Sequence, residues 1–371
     1  MDFKLSDDRR MLTETLERFL RDNYTIDKRH EITGSDDGWS REMWQQFAEL
    51  GVIGALFKEE NGGFGGDGAD IMVVFEQLGR ALVVEPFMPT LLAGTLLIEA
   101  MGEGANAHIE AAIAGEKLLA FAHSEPASRY NLDHVETASE DKGGWKLTGH
   151  KSVVLGAGDA DLLVVSARTS GSAAADRGIS LFLVDPNADG VTVRNYGTVD
   201  GYPAADVILD AAAGELIGKQ DAALAAIEKA HAAAMLAASA EALGAMEVAK
   251  DLTVEYMHTR KQFGVIIGKF QALQHRMADV LIEIEQMRSA VVNAAGHLND
   301  ERKRREWYAS AAKHMAGRLG RQVAEEAIQI HGGMGMTWEY PVGHYSKRII
   351  MIDHLFGDTD HHLERFIELG E

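Results

Sequence analysis

Two glycine-containing motifs towards the C-terminal end of the sequence carry residue types that suit a phosphate-bearing ligand. The first occupies residues 259–264, reads Thr-Arg-Lys-Gln-Phe-Gly, and is followed by Phe270 and Gln271. Basic residues at a helix end, followed by an aromatic residue and a glycine, could seat a phosphate or a pyrophosphate. The same pattern also suits an ordinary charged helix C-cap, because cations favour that end and glycine ends helices. The motif alone leaves both interpretations open.

The second motif occupies residues 329–336 and reads Gln-Ile-His-Gly-Gly-Met-Gly-Met. Its closely spaced glycines would let a ligand approach the backbone, since they have no side chain in the way. The alternative interpretation is a helix that stops and continues as a loop. His331 by itself is interpreted as a packed or surface histidine rather than a catalytic one.

Two charged clusters could also do chemistry, but their patterns are less specific. The C-terminal cluster of carboxylates and imidazoles invites a metal hypothesis; it comprises Asp353, His354, Asp358, Asp360, His361 and His362. Its spacing matches no familiar metal motif, and a zinc site needs about three or four converging ligands, so we predict no metal. The basic run at residues 302–305 lies between two glutamates and is predicted to be a solvated helix face.

Three sections of different texture must position these motifs. Helical spacing of apolar residues runs through the N-terminal section, beginning with Met11, Leu12, Leu16 and Phe19. Short apolar runs broken by Gly, Asp and Asn then indicate strands, and long helical patterns return near residue 222. The sequence therefore predicts an α+β protein with a helical domain at residues 1–116, a β domain at 117–218 and a helical domain at 219–371.

Composition excludes several classes of function. The 371 residues include 57 acidic and 36 basic side chains, a formal net charge of −21, which disfavours nucleic-acid and anionic-membrane binding. A local basic pocket for an anionic ligand remains possible within such a chain. The absence of cysteine excludes disulfides and cysteine nucleophiles. No apolar run approaches the roughly 18 residues of a membrane span, so we expect no membrane insertion and a cytoplasmic location.

Taken together, the motifs resemble the acyl-CoA dehydrogenase superfamily over essentially the whole chain. The resemblance rests on residues 1–12, 50–54 and 60–66, on Ser-Glu-Pro at 124–126, and on the two motifs at 260–264 and 329–335. It implies an N-terminal helical domain, a middle β-barrel-like domain and a C-terminal four-helix bundle.

The resemblance also implies an activity, which is FAD-dependent α,β-dehydrogenation of an acyl-CoA thioester. A carboxylate removes the α-proton while the β-hydride passes to the flavin, and electron-transfer flavoprotein is the expected acceptor. In this family FAD lies between subunits, so an oligomer is implied. At the ADP end of a neighbour's FAD, Arg260 would contact the pyrophosphate, with Phe263 and Gln271 nearby. The ADP part would be lined by Gln329, Gly332 and Gly333.

The segments that would hold the chain's own flavin ring depart from the family pattern. The family's Thr-Glu-Pro strand continues to Gly-Ser-Asp, whereas residues 127–131 here read Ala-Ser-Arg-Tyr-Asn. The family's Lys-x-Trp-Ile-Thr corresponds to residues 151–155, Lys-Ser-Val-Val-Leu, so Val153 replaces the tryptophan and Leu155 the threonine. The polar contacts to the flavin ring are therefore expected to be lost.

The family's catalytic Tyr-Glu-Gly-Thr is also altered, because residues 355–359 read Leu-Phe-Gly-Asp-Thr. Either Phe356 or Gly357 takes the glutamate position, and neither can accept a proton. Some branches of the family place the base near the position of Ala234, which is also inert.

Two carboxylates remain as candidate catalytic bases. Asp358 lies one or two residues from the lost glutamate, although it also suits a cap for the following helix. Glu241 lies two helical turns beyond Ala234 on the same face, although it also suits a structural pair with a neighbouring helix.

The pattern of retained and lost motifs suggests one subunit of a heteromeric enzyme. Motifs for the ADP end of a neighbour's FAD are intact, while those for the chain's own flavin ring and base are eroded. Residues 240–246 and 342–345 resemble the small subunit of pimeloyl-CoA-type dehydrogenases, which assemble with a homologous subunit as heterotetramers. The alternatives are a homo-oligomeric dehydrogenase with a displaced carboxylate base, and a non-catalytic structural subunit. The acyl group is not predicted.

Overall fold

The structure is a computed structural model in which residues 5–370 are described, so residues 1–4 of the first family motif lie outside the described part. The chain forms two compact units. One comprises Met1–His30, Asp67–Val83 and Met235–Glu371, and the other Glu31–Gly66 and Val84–Ala234.

The N-terminal section is helical, as predicted. Its helices are α1 (Asp7–Asn23), α2 (Ile26–Thr33), α3 (Arg41–Glu49), α4 (Gly68–Ala81), α5 (Phe87–Met101) and α6 (Asn106–Ile113). The Ser6 side chain caps α1 by accepting a hydrogen bond from the Arg9 amide, and α1 buries Leu16 and Leu20, one turn apart. In the glycine-rich connector before α4, a Cβ on Gly65 would overlap the carbonyl oxygen of Ala55, which explains why a glycine is required there.

The middle section forms one seven-stranded sheet. Its strands are β1 (Leu119–Ala122), β2 (Ala138–Asp141), β3 (Trp145–Leu155), β4 (Leu162–Arg168), β5 (Ile179–Val184), β6 (Val191–Gly197) and β7 (Pro203–Ile217). The pairings run β4-β2-β3-β7-β5 and return from β5 to β4, so these five strands form a closed circuit. Its interior is filled by apolar side chains that include Leu147, Val165, Phe182 and Val207, all buried.

The C-terminal section contains the longest helices. They are α7 (Leu224–Thr259), α8 (Gln271–His297), α9 (Arg302–His331), α10 (Val342–His354) and α11 (Thr359–Gly370), with a hairpin of β8 (Lys261–Gln262) and β9 (Val265–Ile266) between α7 and α8. α9 packs against α8, α10 and α11. α7 is long and apolar enough to cross a membrane, but 89% of its most apolar window is buried inside the protein, as in a core helix.

The observed fold confirms the predicted helical, β and helical sections of an α+β protein. One local prediction is wrong, because the basic run at residues 302–305 is not entirely solvated. Arg305 is buried, and its guanidinium pairs at 2.9 Å with the buried carboxylate of Glu306. Helical geometry turns this one arginine of the run inward, where only a charged partner makes its burial tolerable.

Candidate functional site

The first motif forms a turn that projects from the end of α7. The Arg260 amide donates to the Tyr256 carbonyl at 2.8 Å, and the β8–β9 hairpin follows immediately. Phe263 and Gly264 occupy the turn with φ values of 54° and 81°. A two-residue hairpin turn of this kind needs positive φ at both positions, which glycine accepts readily and phenylalanine does not.

Several side chains at this motif are exposed, and its polar side chains at Arg260 and Gln271 are not bonded to the rest of residues 5–370. Phe263 is 91% exposed at the tip of the hairpin. The exposed side chains of Arg260 and Gln271 make no hydrogen bond or ion pair with any residue among 5–370. No side chain caps the start of α8, whose N-cap is Phe270. An uncapped helix N-terminus beside an unpaired guanidinium favours an anionic group.

The second motif presents open backbone at the end of α9. Gly332 is the C-cap of α9, with a φ of 59° and a ψ of −137°. A Cβ placed on Gly332 or on Gly333 would meet no atom within 4 Å, so this backbone faces open space. Gln329 is exposed on the last turn of α9. The geometry thus leaves room for a ligand to approach this backbone closely.

The structure brings the two motifs together. The rings of Tyr256, one turn before Arg260, and His331, between Gln329 and Gly332, have centroids 4.5 Å apart. An exposed guanidinium, exposed amide side chains and open glycine backbone are the groups that a pyrophosphate and an adenosine need. The residues of this surface therefore fit the ADP part of FAD. We call Arg260, Phe263, Gln271, Gln329, Gly332 and Gly333 the ADP half-site.

The loop that the sequence resemblance aligns with the family's catalytic motif is closed by internal hydrogen bonds. The buried Lys313 ammonium donates to the carbonyls of Gly357 at 2.7 Å and Asp353 at 2.9 Å. His362 Nε2 donates to the Phe356 carbonyl at 2.9 Å. Burial lowers the pKa of Lys313 to about 8 and that of His362 to about 2. We call residues 355–358 the base loop; its Phe356 has a φ of 60° and no group that can accept a proton from a substrate.

The two candidate bases both have structural partners. Asp358 Oδ1 accepts from the His361 amide at 2.9 Å, the geometry of an N-cap on α11. Glu241 forms a bidentate pair with Arg348, at 2.6 and 2.7 Å, and both side chains are only 4% exposed. These contacts favour the structural alternative for each carboxylate. Among residues 5–370 there is also no group of three or more His, Cys, Asp or Glu side chains that could hold a metal.

The segments expected near the chain's own flavin ring rest on a buried ion pair that sequence reasoning missed. Lys151 Nζ lies 2.7 Å from Glu125 Oε1, with the two side chains 0% and 2% exposed. Burial alone would raise the pKa of Glu125, but Lys151 and the hydroxyl of Thr137 outweigh it and lower that pKa. Strand alternation was an available signal, because Lys151 lies on the same face of β3 as the buried Leu147.

The surface beside this pair is distorted. Val153 is half exposed with a φ of 53°, an unfavourable conformation for a β-branched residue. Its amide donates to the Asp206 carboxylate at 3.3 Å, and the Tyr196 hydroxyl donates to the same carboxylate at 3.1 Å. The position predicted to replace the family's tryptophan therefore carries a small aliphatic side chain on strained backbone.

Comparison with known proteins covers all three sections of the chain. Family models for the acyl-CoA dehydrogenase N-terminal, middle and C-terminal domains match residues 6–108, 120–212 and 224–368. The chain is similar to the 3-(aryl)acrylate reductase of Clostridium sporogenes, with 30% identity over 81% of this chain and 82% of the relative. It is similar to the caffeyl-CoA reductase-Etf complex subunit CarC of Acetobacterium woodii, with 29% identity over 91% of each chain.

A solved structure of the Tcur3481-Tcur3483 steroid acyl-CoA dehydrogenase is also similar. It superposes with a TM-score of 0.88 and 28% identity, covering 98% of this chain and 97% of that one. The fold and these matches define a flavoprotein oxidoreductase. The chain belongs to the acyl-CoA dehydrogenase family, and its cofactor is FAD.

Proposed function

We propose that this chain is one subunit of a heteromeric acyl-CoA dehydrogenase, which carries out α,β-dehydrogenation of an acyl-CoA thioester. The observation that carries the proposal is a contrast within the C-terminal helices. The side chains of Arg260 and Gln271 in the ADP half-site are exposed and make no hydrogen bond or ion pair within residues 5–370, whereas the base loop has Phe356 in place of a carboxylate and is closed by Lys313 and His362.

In this assembly the chain supplies the ADP half-site to FAD held mainly by a homologous partner chain. Arg260 would pair with the pyrophosphate, Phe263 and Gln271 would lie beside it, and the glycines at 332 and 333 would allow close approach near Gln329. FAD supplies the hydride acceptor, and the partner supplies the base that removes the α-proton. The role of this chain's residues is to bind and orient the cofactor.

The matched proteins support an assembly with other chains. The Tcur3481-Tcur3483 structure is, by its title, a steroid acyl-CoA dehydrogenase with two named components. The Acetobacterium woodii relative is, by its name, a subunit of a complex with Etf. We therefore propose a homologous acyl-CoA dehydrogenase chain as the structural partner and electron-transfer flavoprotein as the electron acceptor, with the enzyme in the cytoplasm.

Complementation of catalytic variants tests the proposal. The chain is co-expressed with a homologous acyl-CoA dehydrogenase chain as candidate partner, and single-turnover flavin reduction is followed with a panel of acyl-CoA thioesters. We expect Glu→Gln at the partner's base to reduce the rate by several orders of magnitude. Asp358→Asn and Glu241→Gln in this chain are expected to leave the rate of flavin reduction within about threefold of the wild-type rate.

Other outcomes identify the alternatives. A large rate loss in Asp358→Asn or Glu241→Gln, in an active assembly of this chain alone, would establish a homo-oligomeric enzyme with a displaced base. Full activity of the partner alone, with FAD affinity unaffected by this chain, would establish a non-catalytic structural subunit.

A further inference from the structure

His331 lies within the second motif of the ADP half-site and packs on Tyr256, one helical turn before Arg260 of the first motif. It is the last residue of α9, follows Gln329 by two positions, directly precedes Gly332, and is only 3% exposed. Its Nδ1 lies 2.7 Å from the Ala327 carbonyl oxygen, and its Nε2 lies 3.2 Å from the Tyr340 hydroxyl. Both ring nitrogens therefore have partners inside the protein.

The hydrogen bonds fix the tautomer of His331. A carbonyl oxygen can only accept, so Nδ1 carries the proton and donates to Ala327. Nε2 is then the acceptor for the Tyr340 hydroxyl. Burial lowers the pKa of His331, which keeps this neutral tautomer in place.

Two tyrosine rings pack on the imidazole from different segments. The Tyr256 centroid is 4.5 Å away and the Tyr340 centroid 4.9 Å away, while the two tyrosine rings are 6.1 Å apart. The Tyr256 carbonyl accepts a hydrogen bond from the Arg260 amide, so the residue that carries this ring is bonded directly to the first motif. Tyr340 follows the glycine turn of the second motif, so that turn is held at both ends by His331 and Tyr340.

We propose that His331 is a positioning residue that sets the distance between Arg260 and the glycine backbone at 332–333. With Tyr256 and Tyr340 it forms a three-ring clamp, and it acts without touching the cofactor. This inference deepens the proposed function, because it assigns a role to a residue behind the ADP half-site. Among the described residues no ion pair joins the two motifs, so the clamp connects them through ring packing and hydrogen bonds.

Three variants of the full chain separate the clamp from general stability. His331→Phe retains a ring of similar size and removes both hydrogen bonds. Tyr340→Phe removes only the hydroxyl that donates a hydrogen bond to Nε2. His314→Phe is the matched control, because His314 lies on the same helix and its Nδ1 also bonds a backbone carbonyl, that of Thr359 at 3.0 Å, away from both motifs.

Two readouts are needed: ADP affinity by calorimetry, and amide hydrogen exchange of residues 256–264 and 332–340. We expect His331→Phe to weaken ADP binding roughly tenfold and Tyr340→Phe about threefold, in line with one or two neutral hydrogen bonds. Exchange should rise in both segments together in His331→Phe. His314→Phe should change neither readout, even if it lowers the melting temperature equally.

The two readouts distinguish failure of the clamp from failure of the proposed function. If exchange changes in only one segment, or equally in His331→Phe and His314→Phe, the clamp is refuted. If the wild-type chain and its assembly bind no ADP, the ADP half-site is refuted, while joint loosening of both segments would still establish the clamp.

Discussion

The ADP half-site and the base loop belong to the same helical unit, yet their polar groups have opposite environments. In the half-site, Arg260 and Gln271 are exposed and have no partner within residues 5–370, and Phe263 combines 91% exposure with strained backbone. In the base loop, two backbone carbonyls accept from the buried Lys313 and His362. Exposed, unpaired and strained groups on a rigid scaffold indicate a ligand, whereas buried and bonded groups indicate structure.

Removing Arg348 should produce the largest change, on the structural side of this contrast. Arg348→Met removes the bidentate partner of the buried Glu241 carboxylate, and we expect the free energy of unfolding to fall by about 3–5 kcal/mol. Urea titration measures it. The double variant Glu241→Leu with Arg348→Met should recover most of the loss, because it removes both charges. A single variant as stable as wild type would show that the pair contributes little and that Glu241 is available for another role.

Acid should destabilise the folded protein through His362, whose ring bonds the base loop. Its pKa is about 2 in the folded protein against an ordinary value of 6.5, so the unfolded chain gains a proton first as the pH falls. The free energy of unfolding is unaffected by protonation of this group above pH 6.5. It falls progressively below that pH, by roughly 2–3 kcal/mol at pH 4.5. Urea titrations at several pH values should show a flatter profile for His362→Gln. An identical slope in both proteins would contradict this assignment.

Substitution of Arg260 tests the ligand side of the contrast. Arg260→Ala should weaken FAD or ADP binding by about 10- to 100-fold, the cost of losing charge-assisted hydrogen bonds, without lowering stability. Arg260→Lys should weaken this binding less, because lysine retains the charge although it lacks the planar guanidinium. Arg318→Ala, at another exposed arginine of the same unit, is the control. Equal affinities for all three variants would remove Arg260 from the half-site.

Asp358 offers the smallest and most selective test. As an N-cap of α11, its replacement by Ala should lower the free energy of unfolding by about 1 kcal/mol, whereas Asn should be nearly neutral because it caps equally well. Neither variant should alter the rate of flavin reduction in the assembly. If Asn abolished turnover without changing stability, Asp358 would be the base and the base loop would be catalytic.

The sequence predicted the sections of the fold because their hydrophobic periods differ, and it predicted the half-site motifs because glycine and arginine patterns are local. It could not show that Tyr256 and His331 meet, since that contact joins helices far apart in the chain. It also missed the Lys151 and Glu125 pair, because a lysine in a strand normally faces solvent. For Glu241, the helical face was predictable, but the arginine across from it was not.

The stoichiometry of FAD in the assembled enzyme tests whether this chain supplies only the ADP half-site to a flavin held by its partner. The chain is purified alone and with its homologous partner, and the flavin absorption band near 450 nm is compared with the protein concentration. We expect no flavin band for the chain alone, and one FAD for each pair of different chains in the assembly. A homo-oligomer of this chain with one FAD per chain and full dehydrogenase activity would contradict this expectation.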